Sequence, residues 1–269
     1  MNRSIGLFAG ATLVGLLLLA ALASVFASPA SALAQDWTAV LLPPGRGHWL
    51  GTDALGRDGL ARLLAGSRLT LGLACLPALA GACLGVPLGL LSGMKPRLDP
   101  WLMRLCDVLL ALPALLLALV VVGILGPGLR QIGAAVALVS IPVFMRQARA
   151  VAKALAGRDF ILAPRLLGVG EGRILFRHLL PNAAPSLGAL LTAQMGLAVL
   201  EAAGLAFLGL GGDPSVAEWG SMLGEARDHV YDAPWLLAGP GIALALGVLG
   251  FTLLGDAMQE RLDPRRAGV

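Results

Sequence analysis

Charge is what this 269-residue chain has least of. Asp, Glu, Lys and Arg make up 13% of it and hydrophobic residues 57%, whereas about a quarter of a soluble domain is charged. That balance excludes an ordinary water-soluble domain and makes a bilayer the chain's solvent. Reactive groups are sparse too. The three cysteines, Cys75, Cys83 and Cys106, lie in or beside apolar stretches with no C-x-x-C pair, which excludes a disulfide framework or zinc ribbon and reads as three small buried hydrophobes.

No G-x-x-x-x-G-K-[ST] loop occurs, so the chain is not expected to hydrolyse ATP itself, and H-E-x-x-H and G-x-S-x-G are missing as well. His178 reads as an interfacial polar residue. His48 and His229, two donors without a visible third, make a weak metal pair. An enzyme therefore has little to stand on, and no catalytic residue, metal or resident cofactor is expected. The formal charge of +4 has a commoner cause beside oily spans than nucleic acid, namely the cytoplasmic bias of basic loops.

Six charge-poor stretches are long enough, or nearly so, to cross about 30 Å of hydrocarbon at about 1.5 Å per residue. They run from Ile5 to Ala27, Leu69 to Leu91, Val108 to Leu129, Gln131 to Met145, Leu179 to Leu200, and Ala233 to Gly255. The fourth is short and is expected either to start earlier or to continue through Arg149 and Lys153, whose long side chains reach the interface. Gly126, Pro127 and Gly128 make the turn before it. Lys95, Arg97 and Arg104 separate spans two and three, seven cations from Arg146 to Arg177 separate four and five, and Arg261, Arg265 and Arg266 follow six. After span five the loop carries Asp213, Glu218, Glu225, Asp228 and Asp232 instead, so both termini are expected in the cytoplasm.

"SALAQD", with Ala32 and Ala34 in A-x-A spacing, imitates a leader cleavage site. The uncharged run from Ser4 to Gln35 is long for a leader, and residues 1–34 read as a retained anchor. An extracytoplasmic segment, 35–66, follows. Its prolines and glycines forbid a regular helix until "DGLARLLAG", a short amphipathic helix with Asp58 as N-cap. The core is expected over 67–260, with a cytoplasmic loop at 154–178, a second outer segment at 208–234, and a tail at 261–269. Trp219 in that outer segment and Trp235 just after it read equally as an aromatic belt or as anchors for a partner. Glu201, near hydrocarbon, must face protein or water, either as a structural pair or on a pathway. Gly81, Gly85 and Gly89 form a flat ridge for close helix packing, with possible kinks at Pro77 and Pro87.

The stretch "RDFILAPRLLGVGEGRILFRHLLPN", 158–182, is too charged for lipid and too apolar for a tether. Phe160, Ile161, Leu166 and Leu167 stand beside Arg158, Asp159 and Arg165. Gly168 and Gly170 then interrupt the helix before Ile174, Leu175, Phe176 and Leu179 resume it. Such a segment suits insertion into a partner's cleft or a flat seat on anionic lipid.

Together with "HWLGTDALGRDGLARLLAGSRLTLGLA" (48–74), "EAAGLAFLGLGGDPSVAEWGSML" (201–223) and "GDAMQERLDP" (255–264), this stretch resembles the shorter permease of the bacterial dipeptide, oligopeptide and nickel ABC importers. The resemblance implies an all-α, polytopic membrane protein with six transmembrane helices, the type I ABC importer permease fold, in the bacterial inner membrane. It implies as partners a second homologous permease, two ABC ATPase subunits or domains that hold ATP and Mg, and an extracytoplasmic solute-binding protein. It makes the cytoplasmic loop the ATPase coupling element, through Phe160, Leu162, Ala163, Pro164, Arg165, Leu166, Leu167, Gly168, Arg173 and Pro181. Leu162, Ala163 and Pro164 occupy its Glu-Ala-Ala positions, so two of three name-giving residues differ. Proline there, near the first turn of a short helix, is expected to cost little.

Trp49, Gly51, Asp53, Gly56, Arg57, Asp58, Asp213, Glu218 and Trp219 are expected to form an extracytoplasmic rim that receives cargo. Spans rich in Gly, Ala, Ser and Thr, without a mid-membrane histidine or carboxylate ladder, disfavour bare metal as cargo. The expected cargo is di- or oligopeptides, with nickel or a nickel chelate as the alternative and a secondary carrier or channel as the rival class.

Overall fold

The computed structural model describes residues 3–26 and 32–262, which leaves Arg265, Arg266 and nearly all of the tail outside the described residues. The helices are α1 (Arg3–Phe26), α2 (Gly59–Met94), α3 (Asp99–Leu110), α4 (Ala114–Leu125), α5 (Leu129–Leu155), α6 (Asp159–Leu166), α7 (Glu171–Ile174), α8 (Leu180–Leu205), α9 (Trp219–Ala226) and α10 (Trp235–Leu262). One π-helical turn, Leu175–Leu179, joins α7 to α8, and another, Ala206–Leu210, follows α8. Five of these rods are long and apolar enough to cross a membrane, and α3 with α4 makes a sixth if the bent pair is one span. The fold is all-α and polytopic, as expected.

The bundle's centre is the pair α2 and α5. Gly81, Gly85 and Gly89, joined by Gly93, let the two backbones meet. A Cβ at Gly81 would lie 2.6 Å from Ser140 Cβ, and one at Gly85 would lie 2.5 Å from the Ile141 carbonyl oxygen. Gly89 presses on the Met145 carbonyl and Gly93 on Ala152. Close approach stands in for the hydrophobic drive that lipid does not supply between helices. α8 packs along α2 and α10, and α1 lies on α10, where Gly10 would put a Cβ 2.6 Å from the Leu254 amide.

Two expectations about the helices need correction. The third stretch is not one rod: α3 stops at Leu110, Pro113 precedes α4, and the axis turns by 86°. Proline lacks the amide a continuing helix needs and drives Leu112 out of the helical region, effects that a tally of apolar residues does not register. The helix at "DGLARLLAG" is no separate unit, because Asp58 caps α2, which runs unbroken to Met94 through Pro77 and Pro87. The fourth span does continue past Met145 to Leu155. Its cations find a protein partner: Asp99 accepts from Arg149 Nη2 at 2.7 Å, Lys153 Nζ at 2.8 Å and Ser92 Oγ at 2.6 Å. This brace ties α2, α3 and α5 at one end of the bundle.

Candidate functional site

At the end of the bundle beyond α5, α6 and α7 fold back as a hairpin. Its base is apolar and internal. Ile161, Ile174, Leu175 and Leu179 are buried in one cluster with Val86, Leu90, Phe144 and Ala148. Its tip is apolar and external, with Leu166 87% and Leu167 83% exposed, and Phe160 and Leu162 also exposed. Ile161, outside the expected coupling set, points inward and holds α6 down.

The exit from α6 depends on Gly168 at φ +75°, where its amide donates to the Arg165 carbonyl at 3.1 Å and the Val169 amide to the Pro164 carbonyl at 3.0 Å. A side chain at that φ is strained, so glycine is required. Arg165 Nε lies 3.3 Å from Glu171 Oε1 and links the two limbs. Pro164 is not in the first turn; it is the sixth residue of α6 and forfeits an interior backbone bond. Ala163 is exposed, and Pro181, also exposed, comes just after the π turn Leu175–Leu179, inside a helix that runs on from α7, where the backbone ladder has already changed its spacing. Arg158, Arg173 and Arg177 are exposed and make no ion pair among the described residues. The result is a hairpin whose base is held by buried apolar side chains and whose tip presents two exposed leucines, with Arg158, Arg173 and Arg177 unpaired among the described residues.

The opposite end holds a buried ionic ring. Asp53 Oδ2 accepts from Arg57 Nε at 2.6 Å and from Arg62 Nη1, while Asp53 Oδ1 accepts the amides of Leu55 and Arg57, both at 2.9 Å. Glu225 Oε2 accepts from Arg57 Nη2 at 3.0 Å and Arg62 Nη1 at 2.8 Å. Burial pushes the Asp53 carboxyl up, but the Arg57 amide and the Arg62 charge outweigh it, so the group stays below the ordinary carboxylate range. The ring ties the segment before α2 to α9 and borders a cavity of ≈ 270 Å³ also lined by His229 and Trp235.

Next to it, Glu218 caps α9. Its Oε2 accepts the Ser221 amide at 2.9 Å and its Oε1 accepts from Thr70 Oγ1 at 3.0 Å, while Trp219 Nε1 donates to the Leu63 carbonyl at 2.9 Å. Gly220 allows this seat, since a Cβ there would collide with Ala203. Gly51 and Gly56, both at φ +71°, turn the chain of the first segment against Leu42 and Asp36. Asp58 accepts the Ala61 amide at 2.8 Å and pairs with His48 at 2.9 Å.

The expected rim therefore divides. Asp53, Arg57, Glu218 and Trp219 are buried inside this chain, which corrects their placement on a surface: carboxylates and guanidinium groups with this many partners are internal braces. Trp49, 77% exposed, and Asp213, whose carboxyl is held low by the Ser215 hydroxyl and amide, remain outside. Arg62 and Glu225 complete the ring and were not singled out by sequence, although the i, i+4, i+9 spacing of Asp53, Arg57 and Arg62 is a visible signal. Glu201 is half-buried on α8, and no partner for it is found among the described residues. No cluster of three metal-ligating side chains occurs among the described residues, and His48 is engaged with Asp58 rather than His229.

Residues 85–268 match the family described as binding-protein-dependent transport system inner membrane component. The chain belongs to that family. It is therefore a membrane permease component, not an enzyme. It is 40% identical over 267 residues to the di/tripeptide transport system permease DppC of Pseudomonas aeruginosa, covering 97% of this chain and 88% of the relative. It is 42% identical over 223 residues to the glutathione transport system permease GsiD of Pectobacterium atrosepticum, covering 82% and 74%. Against the nickel transport system permease NikC of Escherichia coli it is 40% identical over 256 residues, covering 94% and 91%. A chain of the MetNI methionine ABC transporter in inward-facing form superposes with a TM-score of 0.61 at 19% identity, covering 75% of this chain and 96% of that one, a likeness of fold.

Proposed function

We propose that this permease forms half of the translocation pathway of an ATP-driven importer of di- or oligopeptides. The observation that carries the coupling half of this reading is the tip at Leu166 and Leu167, two fully presented leucines on a base anchored by Ile161 and Ile174. An isolated pair of large apolar side chains on a rigid turn is poorly suited to water and well suited to a cleft on a soluble ATPase subunit, with Arg173 setting the register. In this reading ATP and Mg bind to two ATPase subunits or domains, a second homologous permease supplies the other half of the pathway, and a solute-binding protein delivers cargo to the end bearing Trp49 and Asp213. Both termini then face the cytoplasm, and residues 1–34 anchor a core that spans 67–260.

The relatives' names divide between peptides, the tripeptide glutathione and nickel. Peptides are favoured because no cluster of metal-ligating side chains is found among the described residues, and a bare-ion route needs donors. Calorimetry of the partner solute-binding protein is expected to show tight binding of dipeptides or longer peptides and none of nickel complexes. Tight nickel-chelate binding without peptide binding assigns the cargo to the alternative.

A further inference from the structure

Two cations stand at the end of the bundle that the basic-loop bias leaves poor in them. Arg68 of α2 and Arg130, in the first turn of α5, are both exposed, lie at the same end as residues 35–58, and make no ion pair among the described residues. They share one open groove of ≈ 560 Å³ between α2 and α5. Apart from the two arginines every lining residue is apolar, with Leu73, Leu76 and Pro77 on one wall and Gly133 and Ala137 on the other. The floor is low because Gly133 has no side chain; a Cβ there would already lie 3.7 Å from Leu73 and Pro77. The N-terminus of α5, where Gly128 offers no side-chain cap, adds positive potential at the same mouth.

We propose that this groove seats one acyl chain of an anionic phospholipid, with its phosphate held between Arg68 and Arg130. The dimensions support a lipid over cargo. From Arg68 to Ala80 the helix rises about 18 Å, close to the half-thickness of about 15 Å of a bilayer's hydrocarbon. The groove is thus one leaflet deep, charged at headgroup level and dry below. A peptide lying in it would leave its amides and carbonyls without partners. Neither guanidinium group has a counter-charge from the described residues of this chain, which leaves both free for a phosphate.

The assembled importer in nanodiscs tests this through lipid rather than transport. Native mass spectrometry is expected to retain phosphatidylglycerol in preference to phosphatidylcholine. Arg68→Gln with Arg130→Gln is expected to weaken that retention about thirtyfold, at roughly fivefold for each basic group near an anionic surface, and lysine at both positions is expected to preserve it. A photoreactive residue replacing Leu76 is expected to label lipid. Labelling of the second permease or of cargo peptide instead, or equal retention in the glutamine variant, overturns the proposal. Because the readout is bound lipid, its failure leaves the assignment of peptide cargo untouched.

Discussion

Replacing Leu166 and Leu167 together by serine is expected to abolish ATP-dependent uptake while leaving the chain folded and inserted. Both side chains are almost wholly exposed and contribute nothing to the cluster that holds the hairpin, so their removal costs the permease itself little. If each is buried in the ATPase, it contributes on the order of 1.5–3 kcal/mol, and losing both weakens docking by roughly 10²–10⁴-fold. ATPase activity stimulated by binding protein should fall to its unstimulated level, with normal membrane yield of the permease. Gly168→Val is expected to give the same phenotype by a different route, since φ +75° cannot be held by a β-branched residue and the tip is re-aimed. Unchanged stimulation in the double serine variant would remove the hairpin from the coupling path.

Arg62→Met is the substitution expected to cost most in stability. It leaves Asp53 and Glu225 sharing Arg57 alone in a site where Arg62 is 2% exposed. Breaking a buried ionic network by removing one partner costs about 3–5 kcal/mol, and a lower thermal midpoint with loss of purified complex should follow. Adding Glu225→Met to it removes the stranded charge and is expected to recover much of the loss. If Arg62→Met alone leaves the midpoint unchanged, the ring does not hold α9 to the segment before α2. Acid acts on the same ring. Because Asp53 titrates below its ordinary value in the fold, its contribution is fully present above about pH 4 and is lost as pH falls through the depressed value. Stability should therefore be flat from about pH 5 upward on account of this group, as thermal unfolding across pH would record.

The glycine ridge was readable because a four-residue repeat of the smallest residue has one structural use between apolar helices, and α2 against α5 realises it. The hairpin was readable for a similar reason: glycines at 168 and 170 inside an amphipathic pattern leave few other shapes. Charge was harder. Asp53, Arg57 and Glu218 look like surface residues because single residues of those types are usually exposed, and it takes the arrival of α9 beside α2 to give Arg57 its second carboxylate and Glu218 its hydroxyl donor. Asp99 was illegible as a brace, since its partners Arg149 and Lys153 lie fifty residues on. The kink at Pro113 was present in the sequence but outweighed by the apolar run around it. Hydropathy reports how much oil a segment holds and nothing about whether it is straight.

In the proposed assembly energy enters this permease through the hairpin tip, and a crosslink placed there reports it. A photoreactive residue in place of Leu167, in the assembled complex in membranes, is expected to join the permease to its ATPase subunit, with a yield that changes between nucleotide-free and ATP-bound states. Adducts to lipid alone, in a complex that still hydrolyses ATP when binding protein is added, would contradict it.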